Sequence, residues 1–408
     1  MTALISEVLQ QLSGYETFYK LRQRKRSAAA QFTFERTVEA LVCDLAVREL
    51  ECQGGGLHLP ISNQVLRKKS RYKGVALGKT LPDILKVMAA EEMAFVELEK
   101  GKARLKIIDD ELNSASVGGV RTVVKAGEKL LTRLERFQIC YDDIQEAEDE
   151  EVLILRGKKV GRDKAAEPIE YKDMPETERM REELRCINRT LQAANISCDR
   201  PDVNTRKRRL RRIFHNGDWE QGGRLYGGFW QEMSSEQREE HITIDGDGVV
   251  ELDYGQMALR ILYGIAGETP PPGDLYNLSA AGIPVECRAG VKKVMNALIS
   301  ASEPLKRVPK GARKTIPRRY SLATLQAAIE QVHPKISHLL GKGLYGQVWR
   351  IESDILMQVL LELADQGITA LAIHDALIVA DEHKEVARSV MAKIFKAHVG
   401  FEPVVQLG

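Results

Sequence analysis

The spacing of apolar residues in the first third of the chain predicts short helices followed by a pair of strands. Helical spacing extends over residues 32–51, 63–69 and 81–93. Residues 95–99 and 103–108 instead alternate between apolar and polar, and Lys100-Gly101-Lys102 lies between them. Alternation interrupted by a glycine-containing turn predicts a β-hairpin. We therefore expect residues 1–118 to form a mainly helical domain that closes with a hairpin.

Helices followed by a hairpin are the arrangement of a winged helix, a common nucleic-acid-binding fold. The cations within residues 67–73 would then supply contacts to phosphates. An ordinary solvated basic surface explains the same residues equally well. The sequence therefore predicts a helical N-terminal domain and leaves the winged helix as one of two interpretations.

The middle of the chain shows longer helical patterns and a run of acids. Residues 119–150 predict a helix that ends in the acidic run 142–151, and such a run is usually a solvated linker. A strand and a long helix over residues 176–194 follow. We therefore expect a helical connector with an acidic linker over residues 119–200, ahead of a third domain over residues 201–408.

Strands and helices alternate in the last part of the chain. Residues 242–252 predict a hairpin that turns at Asp245-Gly246-Asp247-Gly248, and residues 369–379 predict a second hairpin. Helices are expected beside them over residues 257–266 and 351–364. Hairpins backed by helices indicate an α+β domain built on an antiparallel sheet.

The composition is that of an ordinary globular protein. Of the 408 residues, 43% are apolar and 29% are charged, and the formal net charge is +2. Affinity for nucleic acid would therefore depend on local clusters of cations. No apolar block resembles a signal peptide or a membrane span, and the six cysteines lack metal-binding spacing. These features favour a cytoplasmic protein with reduced thiols and no membrane partner.

Two aspartates lie inside otherwise apolar, β-branched stretches. Asp253 follows Val249-Val250-Glu251-Leu252, and Asp375 lies within Ala372-Ile373-His374-Asp375-Ala376-Leu377. Burial of a carboxylate is unfavourable unless a cation accompanies it, and oxygen ligands suit Mg²⁺. We therefore expect Asp253 and Asp375 to share two Mg²⁺ ions, with Mn²⁺ as the alternative metal. Two buried acids that pair with arginines are the structural alternative.

A cationic stretch lies between the two acids in the sequence. Residues at four-residue steps share one face of a helix, and these are Arg288, Lys292, Asn296 and Ser300. Arg288 and Lys292 would together bind the phosphates of a nucleotide. For these two residues alone, an exposed helix face is the simpler explanation.

The densest basic cluster precedes a segment that contains aromatic residues and glycines. The residues of interest are Arg208, Arg209, Arg211 and Arg212 in the cluster, and Arg224 and Tyr226 in the segment. Cations beside aromatic rings suit the backbone of a nucleic acid. A nonspecific or localisation-type basic surface is the alternative interpretation.

These segments, in their order along the chain, resemble the motifs of family-A polymerases. Asp253-Tyr254-Gly255-Gln256-Met257-Ala258-Leu259-Arg260 is similar to the first palm motif, and His374-Asp375 is similar to the last. The steps from Arg288 to Ser300 resemble the fingers helix. Asp218-Trp219 with Gly223-Arg224-Leu225-Tyr226 resembles a template-contacting segment of single-subunit phage-type RNA polymerases. The resemblance extends over residues 214–400 and implies a palm-like antiparallel sheet with a reduced fingers subdomain.

The resemblance implies roles for individual residues. Asp253 and Asp375 would hold the metal ions. Arg288 and Lys292 would hold the triphosphate, and Lys292 would also protonate the leaving pyrophosphate. Gly255 would let the backbone approach a metal ion or a triphosphate closely.

The sequence departs from the family pattern at positions that select the sugar of the nucleotide and at positions that stack on its base. Ala258 stands where DNA-synthesising members carry a glutamate that excludes the ribose 2′-hydroxyl, so we expect ribonucleotides to fit. Asn296 replaces an aromatic residue or methionine, and Ser300 replaces a tyrosine, which puts base stacking at both positions in doubt. His374 would position the primer end. The short fingers region predicts weak processivity, or an accessory protein that supplies grip.

Together these features predict a template-directed nucleotidyltransferase that extends a nucleic-acid 3′ end by two-metal phosphoryl transfer. Its partners would be a template, a primer and nucleoside triphosphates. An RNA polymerase or primase-like enzyme is the first interpretation, and a family-A-like DNA polymerase of a phage or mobile element is the alternative. A catalytically silent nucleic-acid-binding replication protein is the rival from another class.

Overall fold

The computed structural model describes residues 1–51, 56–99, 106–107, 115–116, 122–144, 147, 150–159 and 166–408. The chain divides into two compact units, Met1–Glu150 (unit 1) and Glu151–Gly408 (unit 2). This single division differs from the three predicted domains, with their boundaries near residues 118 and 200. The difference arises because residues 122–126 pair with strands of unit 1, whereas residues 175–193 pack in the core of unit 2.

Unit 1 contains five α-helices and five short strands within the described ranges. The helices are α1 (Thr2–Phe18), α2 (Ala28–Leu50), α3 (Asn63–Arg67), α4 (Leu81–Met88) and α5 (Glu128–Arg136). The strands are β1 (Leu57–Leu59), β2 (Val96–Glu99), β3 (Lys106–Ile107), β4 (Ala115–Ser116) and β5 (Thr122–Ala126). The predicted helices over residues 32–51, 63–69 and 81–93 are confirmed as α2, α3 and α4, although the last two are shorter than predicted.

The N-terminal helices form because their apolar residues recur at helical spacing. Leu4, Val8 and Leu12 of α1 are buried at steps of four residues. Helix α2 begins where the Ser27 hydroxyl accepts a hydrogen bond from the Ala30 backbone N–H. The apolar faces of α1 and α2 join α4 and β5 in one hydrophobic core.

The predicted hairpin of residues 95–99 and 103–108 is wrong in its pairing. Strand β2 pairs antiparallel with β5, and β5 pairs with β1 on its other side, so the sheet order is β1-β5-β2. Strand β3 pairs with β4 instead. Residues 103–105 and 108 lie outside the described residues. The predicted helix over residues 119–150 is also wrong in its first part, because Thr122–Ala126 is buried at every second position, the period of a strand.

Unit 2 contains seven α-helices and nine strands within the described ranges. The helices are α6 (Pro175–Ala193), α7 (Ser235–His241), α8 (Met257–Ile265), α9 (Arg288–Ser300), α10 (Leu322–Val332), α11 (Tyr345–Asp365) and α12 (Lys384–Val399). The strands are β6 (Leu153–Leu155), β7 (Ile196–Cys198), β8 (Arg211–His215), β9 (Asp218–Tyr226), β10 (Ile242–Ile244), β11 (Asp247–Tyr254), β12 (Leu371–Ile373), β13 (Ala376–Ala380) and β14 (Val405–Leu407). The helices predicted over residues 176–194, 257–266 and 351–364 are confirmed.

A six-stranded antiparallel sheet organises unit 2. Its order is β12-β13-β11-β10-β7, and β14 also pairs with β11. Both predicted hairpins are confirmed, as β10–β11 and as β12–β13. Asp245 and Gly246 form the first turn with φ angles of 55° and 91°, and positive φ values suit a two-residue hairpin turn. The predicted α+β class is therefore confirmed, with β11 as a central strand.

A smaller sheet and the long helix α11 complete unit 2. Strand β8 lies between β6, which runs parallel to it, and β9, which runs antiparallel. Helix α11 packs along β9 and also contacts α6, α8 and α12. Strand β13 is buried at every position, since helices and neighbouring strands enclose it. This packing places side chains of β9 and α11 close to the end of β11.

None of the helices within the described ranges combines the length and the hydropathy that a membrane crossing requires. Five cysteines lie in those ranges, and all of them are free thiols. Cys52 lies outside them.

Candidate active site

Both predicted metal-binding aspartates lie at the same end of two paired strands. Asp253 is the penultimate residue of β11, and Asp375 lies in the two-residue turn between β12 and β13. In the register of the sheet, Asp253 is opposite Ala376, the residue directly after Asp375. The Tyr254 backbone N–H donates to the Asp375 carbonyl oxygen over 3.3 Å. Strand pairing therefore brings together two acids that are distant in the sequence.

The Asp253 carboxylate has no fixed counter-ion. Its side chain is half-buried, and burial raises the pKa of Asp253 to about 6, with the charge of Asp375 as the second cause. The charge of Lys292 acts in the opposite direction. Among the residues described, neither Asp253 nor Asp375 forms an ion pair. A half-buried acid beside a second acid is the arrangement that a divalent cation relieves.

Helix α9 presents two exposed cations next to this acid pair. The Tyr276 ring lies 5.4 Å from the Arg288 guanidinium carbon and 5.9 Å from the Lys292 ammonium nitrogen. Tyr276 is buried, and burial is the first cause that raises its pKa, with Asp375 a further cause in the same direction. The cationic face of α9 and the acid pair therefore meet around Tyr276.

Arg288 is held by a carboxylate from the loop after α8. The Asp274 carboxylate accepts from Arg288 Nε at 2.5 Å and from Arg288 Nη2 at 3.2 Å. Gln256 donates to the same carboxylate at 3.0 Å from a position with a φ of 62°, directly before α8. The Arg288 side chain is 46% exposed, so a competing anion has access to it. An exposed pair of this kind is weak and replaceable.

Asn296 and Ser300, the last two residues of the predicted face of α9, are polar residues that offer no ring for a base to stack on. The Ser300 hydroxyl donates to the Asn296 carbonyl oxygen at 2.8 Å, which anchors Ser300 to its own helix. The Asn296 side-chain oxygen is buried and has no hydrogen-bond partner within the described ranges. Asn296 therefore offers one unsatisfied acceptor on the face of α9 that carries Arg288 and Lys292.

A third carboxylate, that of Glu352, lies near the acid pair and forms an ion pair with an arginine. The Glu352 carboxylate accepts from Arg224 Nε at 2.6 Å and from Arg224 Nη2 at 2.9 Å, a bidentate pair. Glu352 is 2% exposed and Arg224 is 16% exposed. The pKa of Glu352 is raised to about 7, first by burial and also by the charges of Asp375 and Asp253, although Arg224 lowers it. The Trp349 ring lies 4.5 Å from the Arg224 guanidinium.

His374 and Tyr226 lie beside each other at the edge of the site. Their ring centroids are 5.9 Å apart. His374 has a φ of 47°, in the left-handed region that a tight hairpin turn uses. The pKa of His374 is lowered, first by desolvation and then by the charge of Arg224. The side chain of His374 is nevertheless exposed on one side, where a ligand has access.

Two of the arginines predicted to bind nucleic acid have structural roles. Arg212 is 1% exposed and donates to the Asp354 carboxylate at 2.5 Å. Arg208 donates to the backbone carbonyls of Ala194 at 2.7 Å and Ile196 at 2.8 Å, just beyond the end of α6. Acceptors within the protein therefore engage the donors of Arg208 and Arg212, and their contact with nucleic acid stays a prediction. The donors of Arg224 likewise face Glu352.

The other predicted residues lie on the expected elements. Arg209 and Arg211 are half-buried, just before and at the start of β8. Ala258 is half-buried in the first turn of α8. A Cβ at Gly255 would lie 3.1 Å from the Val404 side chain, so packing against the segment before β14 leaves little room for a larger residue there.

The carboxylates of Asp253 and Asp375 are too few to enclose a metal ion by themselves. They fit a magnesium ion that also binds the phosphates of a substrate. Within the described ranges, no group of three or more His, Cys, Asp or Glu side chains is placed to hold a metal ion. Mg²⁺ commonly takes one or two carboxylates and completes its shell with phosphate oxygens and water. Asp253 and Asp375 supply that number of carboxylates at a half-buried edge.

Comparisons with known proteins found a similarity only among solved structures. No protein-family model matches the sequence, and no curated protein matches it. Among solved structures, the chain is similar to the POL domain of Pol1 from M. smegmatis in complex with DNA primer-template and dNTP. The sequence identity is 12% and the TM-score is 0.34, over 57% of this chain and 51% of that chain. The chain thus matches about half the length of that protein.

The sequence analysis did not single out Asp274, Tyr276 or Glu352. Glu352 interrupts the apolar stripe of α11, and a charge on a buried helix face is a readable signal. Asp274 and Tyr276 follow the proline-rich stretch Pro270-Pro271-Pro272 in a loop. A loop has no periodicity, so its contacts with α9 became visible only in the folded chain.

Proposed function

We propose that unit 2 is a template-directed nucleotidyltransferase that extends a nucleic-acid 3′ end from nucleoside triphosphates. The observation that carries this proposal is the convergence of Asp253 and Asp375, which form no ion pair with any residue that the structure describes, beside the exposed cations of α9. Two acids for divalent cations next to cations for phosphates are the elements that phosphoryl transfer requires. The palm-like assignment of the six-stranded sheet belongs to the same proposal.

Asp253 and Asp375 are the residues that would hold Mg²⁺, or Mn²⁺ in its place. When bound, the metal ions would activate the attacking 3′-hydroxyl and stabilise charge on the leaving oxygen. The chain's own contribution is to keep both carboxylates at one edge through the pairing of β11 with β13. Because burial raises the pKa of Asp253 to about 6, a rising pH through that value increasingly ionises this acid and so favours cation binding.

Arg288 and Lys292 would bind the triphosphate tail. Arg288 must first leave Asp274, and the exposure of the Arg288 side chain makes that exchange accessible to an incoming phosphate. Lys292 would protonate the pyrophosphate as it leaves, and its charge acts on Asp253, which supports this role. Asp274 therefore acts as a placeholder for the phosphate in the free protein.

Four further residues are assigned to the sugar, the base and the primer end. Ala258 lies half-buried in the first turn of α8 and has no side chain long enough to exclude a 2′-hydroxyl, so we propose that ribonucleotides are accepted. The unpartnered oxygen of Asn296 is available as an acceptor for a substrate N–H or hydroxyl. His374 and Tyr226 would contact the primer terminus at the edge of the site.

We propose that the nucleic acid also contacts cations outside the site. Arg209 and Arg211, which are half-buried just before and at the start of β8, are proposed to take part in these contacts. In unit 1, the helices α2, α3 and α4 together with the β1-β5-β2 sheet support the proposal of a winged-helix-like module. Arg67, Lys68 and Lys69 are exposed on α3 and the turn that follows it, where they are available to phosphates.

A catalytically silent nucleic-acid-binding replication protein is the second candidate. The engagement of Arg288 by Asp274 favours it, since a bound carboxylate blocks the phosphate site. The replacement of an aromatic side chain by Ser300, which is anchored to its own helix, favours it as well.

Primer extension separates these candidates. Purified protein is given a primed template, Mg²⁺, and either ribonucleoside or deoxyribonucleoside triphosphates. We expect extension that is faster with ribonucleotides, and we expect Ala258→Glu to shift the preference toward deoxyribonucleotides. Extension by neither set, with Mg²⁺ or Mn²⁺, would favour the silent protein. A wild-type preference for deoxyribonucleotides that Ala258→Glu leaves unchanged would remove Ala258 from sugar selection.

A further inference from the structure

Helix α1 ends in an exposed segment of aromatic and basic residues that the proposed function does not use. Residues 17–25 are all exposed, with Phe18 at 77% and Tyr19 at 45%. The cations of this stretch are Lys20, Arg22, Arg24 and Lys25, and the stretch contains no acid. We call residues 18–25 the basic-aromatic segment.

The backbone turns sharply where this segment begins. The Leu21 N–H donates to the Glu16 carbonyl at 2.9 Å, and the Lys20 N–H donates to the Thr17 carbonyl at 3.2 Å. Lys20 has a φ of 51°, in a position where helix ends usually place glycine. This closure stops α1 at Phe18 and carries the following cations away from the helix, so they remain in solvent.

The aromatic rings are fixed beside a shallow depression. The Tyr15 and Tyr19 ring centroids are 4.4 Å apart, and those of Phe18 and Tyr19 are 5.0 Å apart. The Tyr19 hydroxyl donates to the Glu92 carboxylate at 2.9 Å. These residues, with Met93, line an open depression of about 330 Å³. The rings are therefore exposed and yet held in place, so little conformational entropy is lost when a flat ligand stacks on them.

The cations of the segment are not neutralised by the protein. Only the neighbouring Arg26 has an internal role: it pairs with Glu16 at 2.6 Å and lies 3.8 Å from the Phe34 ring centroid. Within the described ranges, no acid pairs with Lys20, Arg22, Arg24 or Lys25. Four uncompensated cations beside exposed rings form a surface that is complementary to an anionic polymer with flat bases.

We propose that the basic-aromatic segment binds single-stranded nucleic acid, with its cations on the phosphates and with Phe18 and Tyr19 stacked on bases. Exposed rings favour a single strand because the base faces of a duplex are already stacked on one another. The segment lies in unit 1, and binding there does not depend on catalysis by unit 2. Loss of this binding and loss of extension by Asp375→Asn are therefore separate results.

The test is equilibrium binding of the full chain to fluorescently labelled oligo(dT) over a series of salt concentrations. The charge variant is Lys20→Gly with Arg22→Gln, Arg24→Gln and Lys25→Gln, where glycine suits the positive φ of position 20. We expect its affinity to fall at least tenfold and its salt dependence to become shallower by about 2 to 3 logarithmic units per decade. Phe18→Ala should weaken binding at least about fivefold with an unchanged salt dependence.

Matched controls keep the test specific. Lys79→Gln with Lys86→Gln, Lys393→Gln and Lys396→Gln removes the same charge from exposed positions outside the segment. Phe32→Ala removes an aromatic side chain that is 62% exposed. Both controls should bind oligo(dT) within about twofold of the wild type. Equal losses in the charge control, an unchanged affinity in the charge variant, or binding to anionic lipid vesicles without binding to oligo(dT) would overturn the proposal. Thermal unfolding verifies that each variant is folded.

Discussion

Glu352 and the pair Asp253 and Asp375 are neighbouring acids of unit 2, and their negative charges are compensated in different ways. Glu352 is enclosed and has a bidentate guanidinium partner in Arg224. Asp253 is only half-buried, has another acid as its neighbour and forms no ion pair within the described ranges. In each case burial raises the pKa of the acid, to about 7 for Glu352 and to about 6 for Asp253.

The difference indicates which group is structural and which is reserved for a ligand. A buried acid with a fitted partner fixes the packing of β9 against α11 and has no free lone pair directed at solvent. Two adjacent acids without a partner store electrostatic repulsion that a divalent cation would remove. The predictions below test this distinction by removing one charge at a time.

The largest effect is expected at the unpartnered pair. Asp375→Asn should lower primer extension by at least about 10³-fold, because loss of a metal ligand removes several kcal/mol of transition-state stabilisation. The same substitution should leave unfolding unchanged or make the protein slightly more stable, because it removes a like charge beside Asp253. Extension rates and urea unfolding are the two measurements.

Asp381→Asn is the matched control, since Asp381 is an exposed acid of the same unit that pairs only with Lys384. It should change neither measurement appreciably. Retained extension in Asp375→Asn would remove Asp375 from the site.

The opposite pattern is expected at the partnered pair. Arg224→Met should reduce the free energy of unfolding by about 3–5 kcal/mol, because it leaves the Glu352 carboxylate buried without a partner. The double variant Arg224→Met with Glu352→Met should recover most of that loss, because neither charge is then buried. Urea unfolding measures both. A loss in the double variant as large as in the single one would contradict a matched pair.

The third prediction concerns pH and magnesium. The pKa of folded Asp253 is raised from 3.8 to about 6, so its contribution to stability is full below 3.8 and is lost as the pH rises through about 6. Mg²⁺ should compensate that loss only where Asp253 is ionised. We expect saturating Mg²⁺ to raise the free energy of unfolding by about 1–3 kcal/mol at pH 8 and negligibly at pH 5.

Thermal unfolding at the two pH values measures this difference, and Asp253→Asn supplies the control. That variant should show no Mg²⁺ effect at either pH. A Mg²⁺ effect of equal size at pH 5 and pH 8 would contradict the assignment of the cation site to Asp253.

The smallest effect is expected at the exposed pair. Asp274→Asn should lower the KM for the nucleoside triphosphate by up to about fivefold, because it frees Arg288 from a competing carboxylate whose pairing is worth at most about 1 kcal/mol. The value of kcat should change little. An increase in KM would instead mean that Asp274 positions Arg288 for the substrate, and steady-state kinetics distinguish the two outcomes.

Local patterns in the sequence predicted much of unit 2. The hairpins at β10–β11 and β12–β13 were predictable because alternation and turn residues are local signals, and Asp253 and Asp375 were conspicuous as charges in apolar strands. The three-stranded sheet of unit 1 was not predicted, since β2 pairs with β5 and the two strands lie far apart in the sequence. The residues of a strand do not reveal a pairing partner that is far away in the sequence.

The basic cluster shows the other limit of sequence analysis. Arg208 and Arg212 lie in the cluster that was predicted to contact nucleic acid, and folding engages their donors with backbone carbonyls and with Asp354. Whether an arginine is free depends on acceptors that folding brings to it from elsewhere in the chain. The same reasoning explains why Glu352 and Asp274 were recognised only through their partners.

The most direct test of the central claim replaces Mg²⁺ with Fe²⁺ in the folded protein and maps the cuts made by locally generated hydroxyl radicals. We predict backbone cleavage near Asp253 and near Asp375, suppressed by excess Mg²⁺ and lost in Asp375→Asn. Cleavage at neither position, or cleavage that persists unchanged in Asp375→Asn, would show that these two carboxylates do not share a divalent cation.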